Sequence, residues 1–320
     1  MREARKIAKV FRDEFPVVAL DDPEPNHISE AIKLGFDLIM SISTKNLNKI
    51  LKFAENSVAY VITPSNGKSD LKFMIFEVES IVSKLSNRNI EKIILDPILN
   101  PLIEPGMLKS LHAYKMFRDY FKDKPLMMGL CNVVELLDAD SIGVNALLVM
   151  LAGELGVSTL LTVEESFKTR GSTLEISIAT EMCSISLYKK KPPKDLGVNL
   201  LILKDKEDKS LTLNLEHYRN IRVFYEEEPK TRIMGPMGFF RIFMDRKHGE
   251  IQVLYEGKKG KILIKGKNAK SIMNKIIQLK LISKMEHAAY LAMELLKAEY
   301  ALNFFKSYIQ DEPLFRRRYL

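Results

Sequence analysis

The chain has 320 residues, of which 46% are hydrophobic and 28% charged, and its formal net charge is +8. This composition predicts one large folded domain with a smaller one, and it excludes a disordered chain. Two distant cysteines exclude a disulfide framework and a structural zinc site. No apolar run reaches about 18 residues, no basic stripe is interleaved with aromatics, and the N-terminal "MREARKIAKVF" predicts a helix rather than a signal peptide. We therefore expect a cytoplasmic protein that binds neither membrane nor nucleic acid.

Six short apolar runs alternate with amphipathic segments in the first part of the chain. Each run has the length of a strand that is buried on both faces. The runs span residues 15–20, 37–42, 58–63, 92–97, 126–130 and 158–163. The segments at 26–35, 70–87, 108–122 and 143–156 carry apolar residues at helical spacing. Repeated strand–helix units predict a parallel sheet.

Polar residues follow four of these runs, namely Asp21 and Asp22, Asp96, Asn132, and Glu164 with Glu165. In a (β/α)8 barrel the active site is built at the carboxyl ends of the strands, so polar ends on four strands favour a barrel over an open sheet. A closed barrel of this type needs eight strands and only six runs are found. Either two strands have weak patterns, or the first two βα units are absent, which is the interpretation that we favour.

A linker, "KKKPPKDLG" at 189–197, separates a predicted barrel domain at 1–190 from a small α+β domain at 198–320. In the second domain the pattern predicts strands at 198–206, 210–215 and 260–266. A hairpin is predicted at 234–257, with its turn at "DRKHG". Two helices are predicted at 268–281 and 283–305, the second with Ser283 as its N-cap and Glu286 three residues later.

The familiar cofactor motifs are missing from the sequence. There is no GxGxxG, no phosphate-binding loop, no HExxH and no His/Cys cluster at metal spacing, so no metal is signalled. What remains is a group of carboxylates and an amide at strand ends, which suits a flat heterocycle. A carboxylate can accept from both the 2-amino group and the ring N–H of a pterin, and Asn132 can donate and accept beside it.

Three segments carry a resemblance: "VALDDPEPNHISEAIKLGFDLIMSIS", "ILDPILNPL" and "GLCNVVELLDADSIGVNALLVMLAGELG". They resemble the pterin-binding domain shared by dihydropteroate synthase and the methyltetrahydrofolate and tetrahydromethanopterin methyltransferases. The likeness implies pterin-binding roles for Asp21 with its neighbour Asp22, Asp96, Asn132 and the helix residue Asn145. The "GLCNV" segment is similar to the GLSNV of the methyltransferase branch, in which this Asn is the active-site residue. The C-terminal segments 237–251 and 281–299 are similar to those of archaeal dihydropteroate synthase-related proteins.

The departures from these families matter for the chemistry. Met40 stands where the methyltransferases have a pterin-contacting Asn, and the synthase's lysines and pyrophosphate-binding Arg-His have no equivalents. "SFKTRGS" at 166–172 follows the last strand and opens a helix. Lys168, Arg170 and this helix N-terminus are predicted to form a replacement anion-binding site.

The resemblance leaves three functions open, all with a reduced pterin of the tetrahydromethanopterin or tetrahydrofolate type. The favoured one is a transferase that moves a methyl group from N5, with Asn132 catalytic and a corrinoid protein or a thiol as acceptor. The second is condensation of a pterin pyrophosphate with an arylamine, as in dihydropteroate synthase. The third is a non-catalytic pterin-binding subunit. An incomplete barrel implies a complementing chain and a homo- or hetero-oligomer, because exposed strand edges must be covered.

Overall fold

The computed structural model describes residues 15–66, 70–203, 206 and 236–315. The chain divides into two compact units, Met1–Glu207 and Asp208–Leu320, each with its own hydrophobic core. The predicted N-terminal helix and the predicted strand at 210–215 lie outside the described residues.

The first unit alternates strands and helices. Its strands are β1 (Ala19–Leu20), β2 (Leu38–Ile42), β3 (Ala59–Ile62), β4 (Ile93–Leu95), β5 (Met127–Gly129) and β6 (Thr159–Leu161). Its helices are α1 (Pro25–Lys33), α2 (Leu47–Ile50), α3 (Leu71–Ser86), α4 (Met107–Tyr120), α5 (Cys131–Val134), α6 (Ser141–Glu154) and α7 (Ser172–Lys189), with a 3-10 turn at Phe167–Thr169. All six predicted strands are present. The short helices α2 and α5 are additions that carry too few residues to show a period.

The six strands are parallel and follow one another in chain order. β1 to β4 form one sheet, β5 pairs with β6, and a parallel bridge between Leu95 and Leu126 joins the two sets. A doubly wound sheet would reverse its strand order at a switch point, whereas a barrel keeps chain order throughout. The architecture is therefore TIM-barrel-like, although pairing between β6 and β1 is not observed in the described residues.

Alternate side chains of the strands point to two different layers. One set packs under the helices in the main core, for example Tyr60, Ile62 and Met128. The other set forms a small inward cluster from Met40, Val61 and Met127, with Leu38, Ile94 and Leu161 against it. In a flat sheet β3 and β5 would be roughly 10 Å apart, so a cluster that joins Val61 to Met127 indicates a curled sheet.

The second unit is an antiparallel sheet with two helices. Its strands are β7 (Gly238–Asp245), β8 (Glu250–Gly257) and β9 (Gly260–Gly266), and its helices are α8 (Ala269–Gln278) and α9 (Met285–Asn303). Phe240, Val253 and Tyr255 from the sheet share its core with Ile276 and Leu295 from the helices. The hairpin, third strand and both helices form in the predicted segments.

Two predictions made for residues 198–320 were wrong. No strand forms in the described residues 198–203, so the apolar run there is a loop. Ser283 is not the N-cap of α9, because the cap position is Lys284 and no side chain caps the helix.

No helix in the described part of the chain combines the length and the apolar character needed to span a bilayer.

Candidate functional site

Asp96 lies directly after β4, and one oxygen of its carboxylate is held by two hydrogen bonds. Its Oδ1 accepts hydrogen bonds from the Tyr114 hydroxyl and from the backbone N–H of Ile98, both at 2.8 Å. The loop turns sharply here, since Ile98 has a φ of 72°. Its second oxygen, Oδ2, accepts no hydrogen bond from any described residue. The carboxylate is thus fixed through one oxygen and presents the other.

The electrostatics of Asp96 follow from this position. Burial raises the pKa of its carboxyl to about 6, against the opposing effect of the Tyr114 and Ile98 hydrogen bonds, and the nearby charge of Asp21 raises it further. At pH 7 most molecules therefore carry an ionised Asp96 that is poorly solvated. A ligand N–H that reaches Oδ2 would relieve this cost, which is the behaviour expected of a binding carboxylate.

Tyr114 is a site residue that the sequence did not reveal. It lies on the buried face of α4, and its hydroxyl also approaches the Met127 carbonyl at 3.0 Å. The ring is fully buried, so its position is set by packing in the core. Tyr114 therefore connects Asp96 to β5. In the sequence it looks like any aromatic residue at helical spacing.

Asp21 lies after β1, close enough to Asp96 to affect its charge. Its Oδ1 accepts a hydrogen bond of 2.6 Å from Ser41 Oγ at the end of β2. Ser41 has a φ of 64°, a conformation that residues other than glycine rarely adopt. The buried Asn46 side chain donates to the Ser41 carbonyl and accepts from the Ser43 N–H, which holds this turn in place. Asp21 and Asp96 are the predicted pair that the structure brings together.

Asp22 makes local hydrogen bonds at the start of α1, and its ligand contact stays a prediction. Its Oδ1 accepts from the Glu24 N–H at 2.8 Å, and its Oδ2 lies 2.8 Å from His27 Nδ1. The Glu24 hydrogen bond and then the His27 contact lower its pKa. Both oxygens are engaged in starting α1, as expected for a residue before a helix that begins with proline.

Asn132 lies in α5 rather than at the end of a strand. Its Nδ2 donates to the Leu99 carbonyl at 3.0 Å and so ties α5 to the loop that contains Asp96. Its Oδ1 has only a weak contact, 3.8 Å from Cys131 Sγ. The side chain is exposed, and its Oδ1 can accept a further hydrogen bond. Asn132 therefore contacts the loop that follows Asp96, with half of its amide used structurally.

Asn145 is not part of this group of residues. It is fully buried in α6, and its Nδ2 donates to Ser172 Oγ at 3.0 Å and to Glu175 Oε2 at 2.8 Å. These bonds join α6 to α7. The side chain has no exposed surface, and its Oδ1 accepts no hydrogen bond from the described residues. The pterin contact of Asn145 stays a prediction.

The predicted anion site is filled by the chain itself. Glu164 accepts from the backbone N–H groups of Gly171 and Thr173, at 3.0 and 2.9 Å, and thereby caps α7. Lys168 pairs with Asp138 at 2.8 Å. Arg170 is exposed, and its charge contributes to lowering the pKa of Glu164, after the two backbone hydrogen bonds. A carboxylate therefore occupies the position expected for a phosphate or another carboxylate.

Glu135 is a second carboxylate in this region, and no pattern in the sequence indicated it. It accepts from the N–H groups of Glu165 and Ser166 and, at 2.7 Å, from the Thr169 hydroxyl. Burial opposes its charge, but these hydrogen bonds together lower its pKa. Glu135 thus holds the segment after β6 against the segment after β5.

Two further observations concern expected polar groups. Met40 is buried in the inward cluster, so the position expected to hold a polar pterin contact is apolar.

Among the described residues, Asp245, His248 and Glu250 at the β7–β8 turn lie close enough together to hold a metal ion. His248 and Asp245 are joined at 2.8 Å, and Lys265 pairs with Glu250 at 2.9 Å. This group belongs to the second unit and is already paired internally.

Comparison with known proteins gives one family match and one curated relative. Residues 234–311 match the family model described as PterinBD-DUF4346. "Uncharacterized protein MJ0107" of Methanocaldococcus jannaschii is 37% identical over 326 residues. The alignment covers 98% of this chain but 61% of that protein, so the chain spans about three fifths of its relative's length.

Solved structures similar to this chain include dihydropteroate synthases. The 7,8-dihydropteroate synthase of Vibrio fischeri ES114 is 16% identical over 59% of this chain and 71% of its own, with a TM-score of 0.45. The dihydropteroate synthase of Coxiella burnetii in complex with pteroic acid is also 16% identical, over 57% and 74%, with a TM-score of 0.41.

Proposed function

We propose that the first unit binds a reduced pterin at the carboxyl ends of its strands, with Asp96 as the residue that recognises the ring. The observation that carries this proposal is the fixed carboxylate with one unpaired oxygen and a raised pKa. The 2-amino group and ring N–H of a pterin are the donors that such a group lacks. Hydrogen bonds to a charged group contribute about 1.5–3 kcal/mol each.

Asn132 and Asp21 are the neighbours that complete the proposed contact. The Oδ1 of Asn132, which has only the weak contact with Cys131 Sγ, accepts from a second ring position, and Asp21 adds negative charge beside Asp96. The family model that residues 234–311 match is named for a pterin-binding domain, and those residues belong to the second unit. The match therefore supports a pterin as a ligand of the protein but not any single residue of the proposed site. The ligand is of the tetrahydromethanopterin or tetrahydrofolate type.

For the chemistry we propose methyl transfer from N5 of the pterin to a corrinoid protein or a thiol. In this reaction a thiolate or Co(I) bonds the methyl carbon while the N5–methyl bond breaks and its electron pair returns to N5. N5 leaves as a neutral amine only if it was protonated beforehand, and the carboxylates of Asp21 and Asp96 favour that cationic ring. Condensation requires a place for pyrophosphate, and the α7 N-terminus that was expected to supply it is filled by Glu164. This difference favours methyl transfer between the two transferase reactions.

A second candidate is a non-catalytic pterin-binding subunit. It is favoured by a specific observation, namely that only six strands contribute their ends to the site in the described residues. An assay with N5-methyl tetrahydromethanopterin and free cob(I)alamin separates the two, because the subunit would bind the pterin without demethylating it. Release of pyrophosphate from a pterin pyrophosphate and an arylamine would instead establish condensation.

Binding of tetrahydromethanopterin or tetrahydrofolate is expected to depend on pH with a midpoint near 6. The ligand donates to ionised Asp96, whose carboxyl has a pKa of about 6 in the free protein. Affinity should therefore be constant above pH 7 and fall about tenfold per unit below pH 6, as protonation removes the acceptor. Calorimetry between pH 5 and 8 measures this. Absence of binding for both pterins, or an affinity that does not change with pH, would contradict the proposal.

A further inference from the structure

The strand β2 contains an irregularity beside the proposed site. Its pairing with β3 shifts by one residue between Ile39 and Ile42. As a result, Met40 and Ser41 lie opposite the single residue Val61. Both Ile39 and Ile42 pack in the main core, which strict alternation does not allow for positions three apart. The strand therefore carries a β-bulge with one added residue, a feature that is rare in parallel sheets.

The bulge decides where the side chain of Ser41 points. In an unbroken strand Ser41 would lie on the same face as Ile39, in the main core under the helices. Instead its hydroxyl donates to Oδ1 of Asp21, which follows β1, at 2.6 Å. Bulges beside functional sites often redirect a side chain in this way. A hydroxyl is thus directed at one of the two carboxylates of the proposed site.

The surrounding structure holds Ser41 in a strained conformation. Its φ of 64° lies in the left-handed region, where a residue other than glycine is strained. The buried Asn46 fixes this turn, because its Nδ2 donates to the Ser41 carbonyl at 3.1 Å and its Oδ1 accepts from the Ser43 N–H at 3.0 Å. The same Nδ2 also donates to the Pro23 carbonyl at 3.3 Å, in the segment after β1. One buried amide therefore fixes the turn and joins it to the chain that carries Asp21.

We propose that Ser41 is a positioning residue, whose hydroxyl holds the Asp21 carboxylate beside Asp96 in the proposed pterin site. Among the described residues, Ser41 is the hydrogen-bond partner of the exposed Asp21 side chain. Without this contact the carboxylate is free to turn into solvent. The identity of the ligand rests on the proposed function, whereas the effect of Ser41 on the two carboxylates does not.

The electrostatics of Asp96 report the position of Asp21. The charge of Asp21 raises the pKa of the Asp96 carboxyl, after the larger effect of burial. The other titratable neighbours of Asp96 in the described residues are Tyr114 and Cys131, whose pKa values are raised, so both are neutral near pH 6. Release of Asp21 from Ser41 should therefore lower the pKa of Asp96.

The test compares two variants of the full chain that both lack the Ser41 hydroxyl but differ in strain. Ser41→Gly relieves the strain at the positive φ and keeps the carbonyl to which Asn46 donates, whereas Ser41→Ala keeps the strain. The glycine variant should therefore be the more stable of the two in denaturant. NMR titration of the Asp96 carboxyl in the free protein should show the same downward shift of its pKa in both variants. The shift should be part of that caused by Asp21→Asn, which removes the charge.

Calorimetry at pH 7.5, where Asp96 is ionised, measures binding of tetrahydromethanopterin or tetrahydrofolate. Both Ser41 variants should bind about threefold to tenfold more weakly than the wild type, which corresponds to the loss of one hydrogen bond. The matched control is Lys190→Gly, at a residue with a φ of 49° at the C-terminal end of α7. It relieves a similar backbone strain and should leave the affinity and the Asp96 titration unchanged.

A purely structural role for Ser41 predicts a different pattern, in which the effects follow stability and appear in Ser41→Ala but not in Ser41→Gly. That result would overturn the proposal, as would an Asp96 titration that neither substitution shifts. Unchanged affinity in both variants, where the wild type binds a pterin, would overturn it too. A shared shift in the free protein supports the proposal. If neither pterin then bound to the wild type, the proposed function would fail while the role of Ser41 would stand.

Discussion

Replacing Asp96 with asparagine is expected to weaken pterin binding by about 100-fold or more while making the protein more stable at pH 7. The amide oxygen can still accept from Tyr114 and Ile98, so the local structure is kept. The group facing the ligand becomes an N–H donor, which meets the N–H donors of the ring and removes two charge-assisted hydrogen bonds. Their loss, about 3 kcal/mol or more, corresponds to at least about two orders of magnitude in affinity.

The gain in stability follows from the raised pKa of Asp96. Between pH 4 and 6 the folded protein holds a proton on this carboxyl that the unfolded chain has released, so wild-type stability falls as the pH rises through this window. A shift from 3.8 to about 6 corresponds to up to about 3 kcal/mol above pH 7. The asparagine variant has no carboxyl to ionise at this position, so its free energy of unfolding does not fall in this way as the pH rises. The two proteins should therefore differ most at pH 7–8 and converge below pH 4.

Denaturant unfolding at several pH values, with calorimetry for the ligand, measures both effects. The matched control is Tyr114→Phe, which keeps the charge of Asp96 but removes one of its two hydrogen bonds. It should bind more weakly than the wild type and more tightly than the asparagine variant, and it should be less stable than either. An asparagine variant that binds pterin as well as the wild type would exclude Asp96 as the recognising residue.

Much of the architecture could be predicted because buried parallel strands have a strong sequence signature. Each of the six apolar runs is apolar on both faces, since one face packs under helices and the other points inward. The run at 198–203 has the same composition and forms a loop. Composition alone does not reveal whether a neighbouring strand is available to pair with it.

The candidate site was less predictable, because the partner of each polar side chain is set by tertiary structure. Asp22 and Asp96 each follow a predicted strand and lie at a turn. In the structure Asp96 presents a free oxygen, whereas Asp22 starts a helix. Glu164 was recognised as a strand-end residue, but its position at the α7 N-terminus depends on how the loop folds back. Its occupation of that site could not be read from the order of the residues.

Truncating Glu135 to alanine is expected to lower the free energy of unfolding by about 2–4 kcal/mol at pH 7. The carboxylate accepts from two backbone N–H groups and from the hydroxyl of the fully buried Thr169. Hydrogen bonds to a charged group contribute about 1.5–3 kcal/mol each, and part of this is regained where water reaches the freed donors. Thermal or denaturant unfolding measures the change.

Glu135→Gln should lower the free energy of unfolding by about 1 kcal/mol, because the amide oxygen still accepts hydrogen bonds while the charge is lost. The neighbouring Glu165→Ala is the matched control, since the exposed side chain of Glu165 is removed while its backbone N–H is kept. The lowered pKa of Glu135 also sets a pH dependence: its contribution is present above pH 4.5 and is lost as the pH falls through the folded pKa. The alanine variant and the wild type should therefore approach each other in acid. An alanine variant as stable as Glu165→Ala at pH 7 would show that Glu135 does not hold the two strand-end segments together.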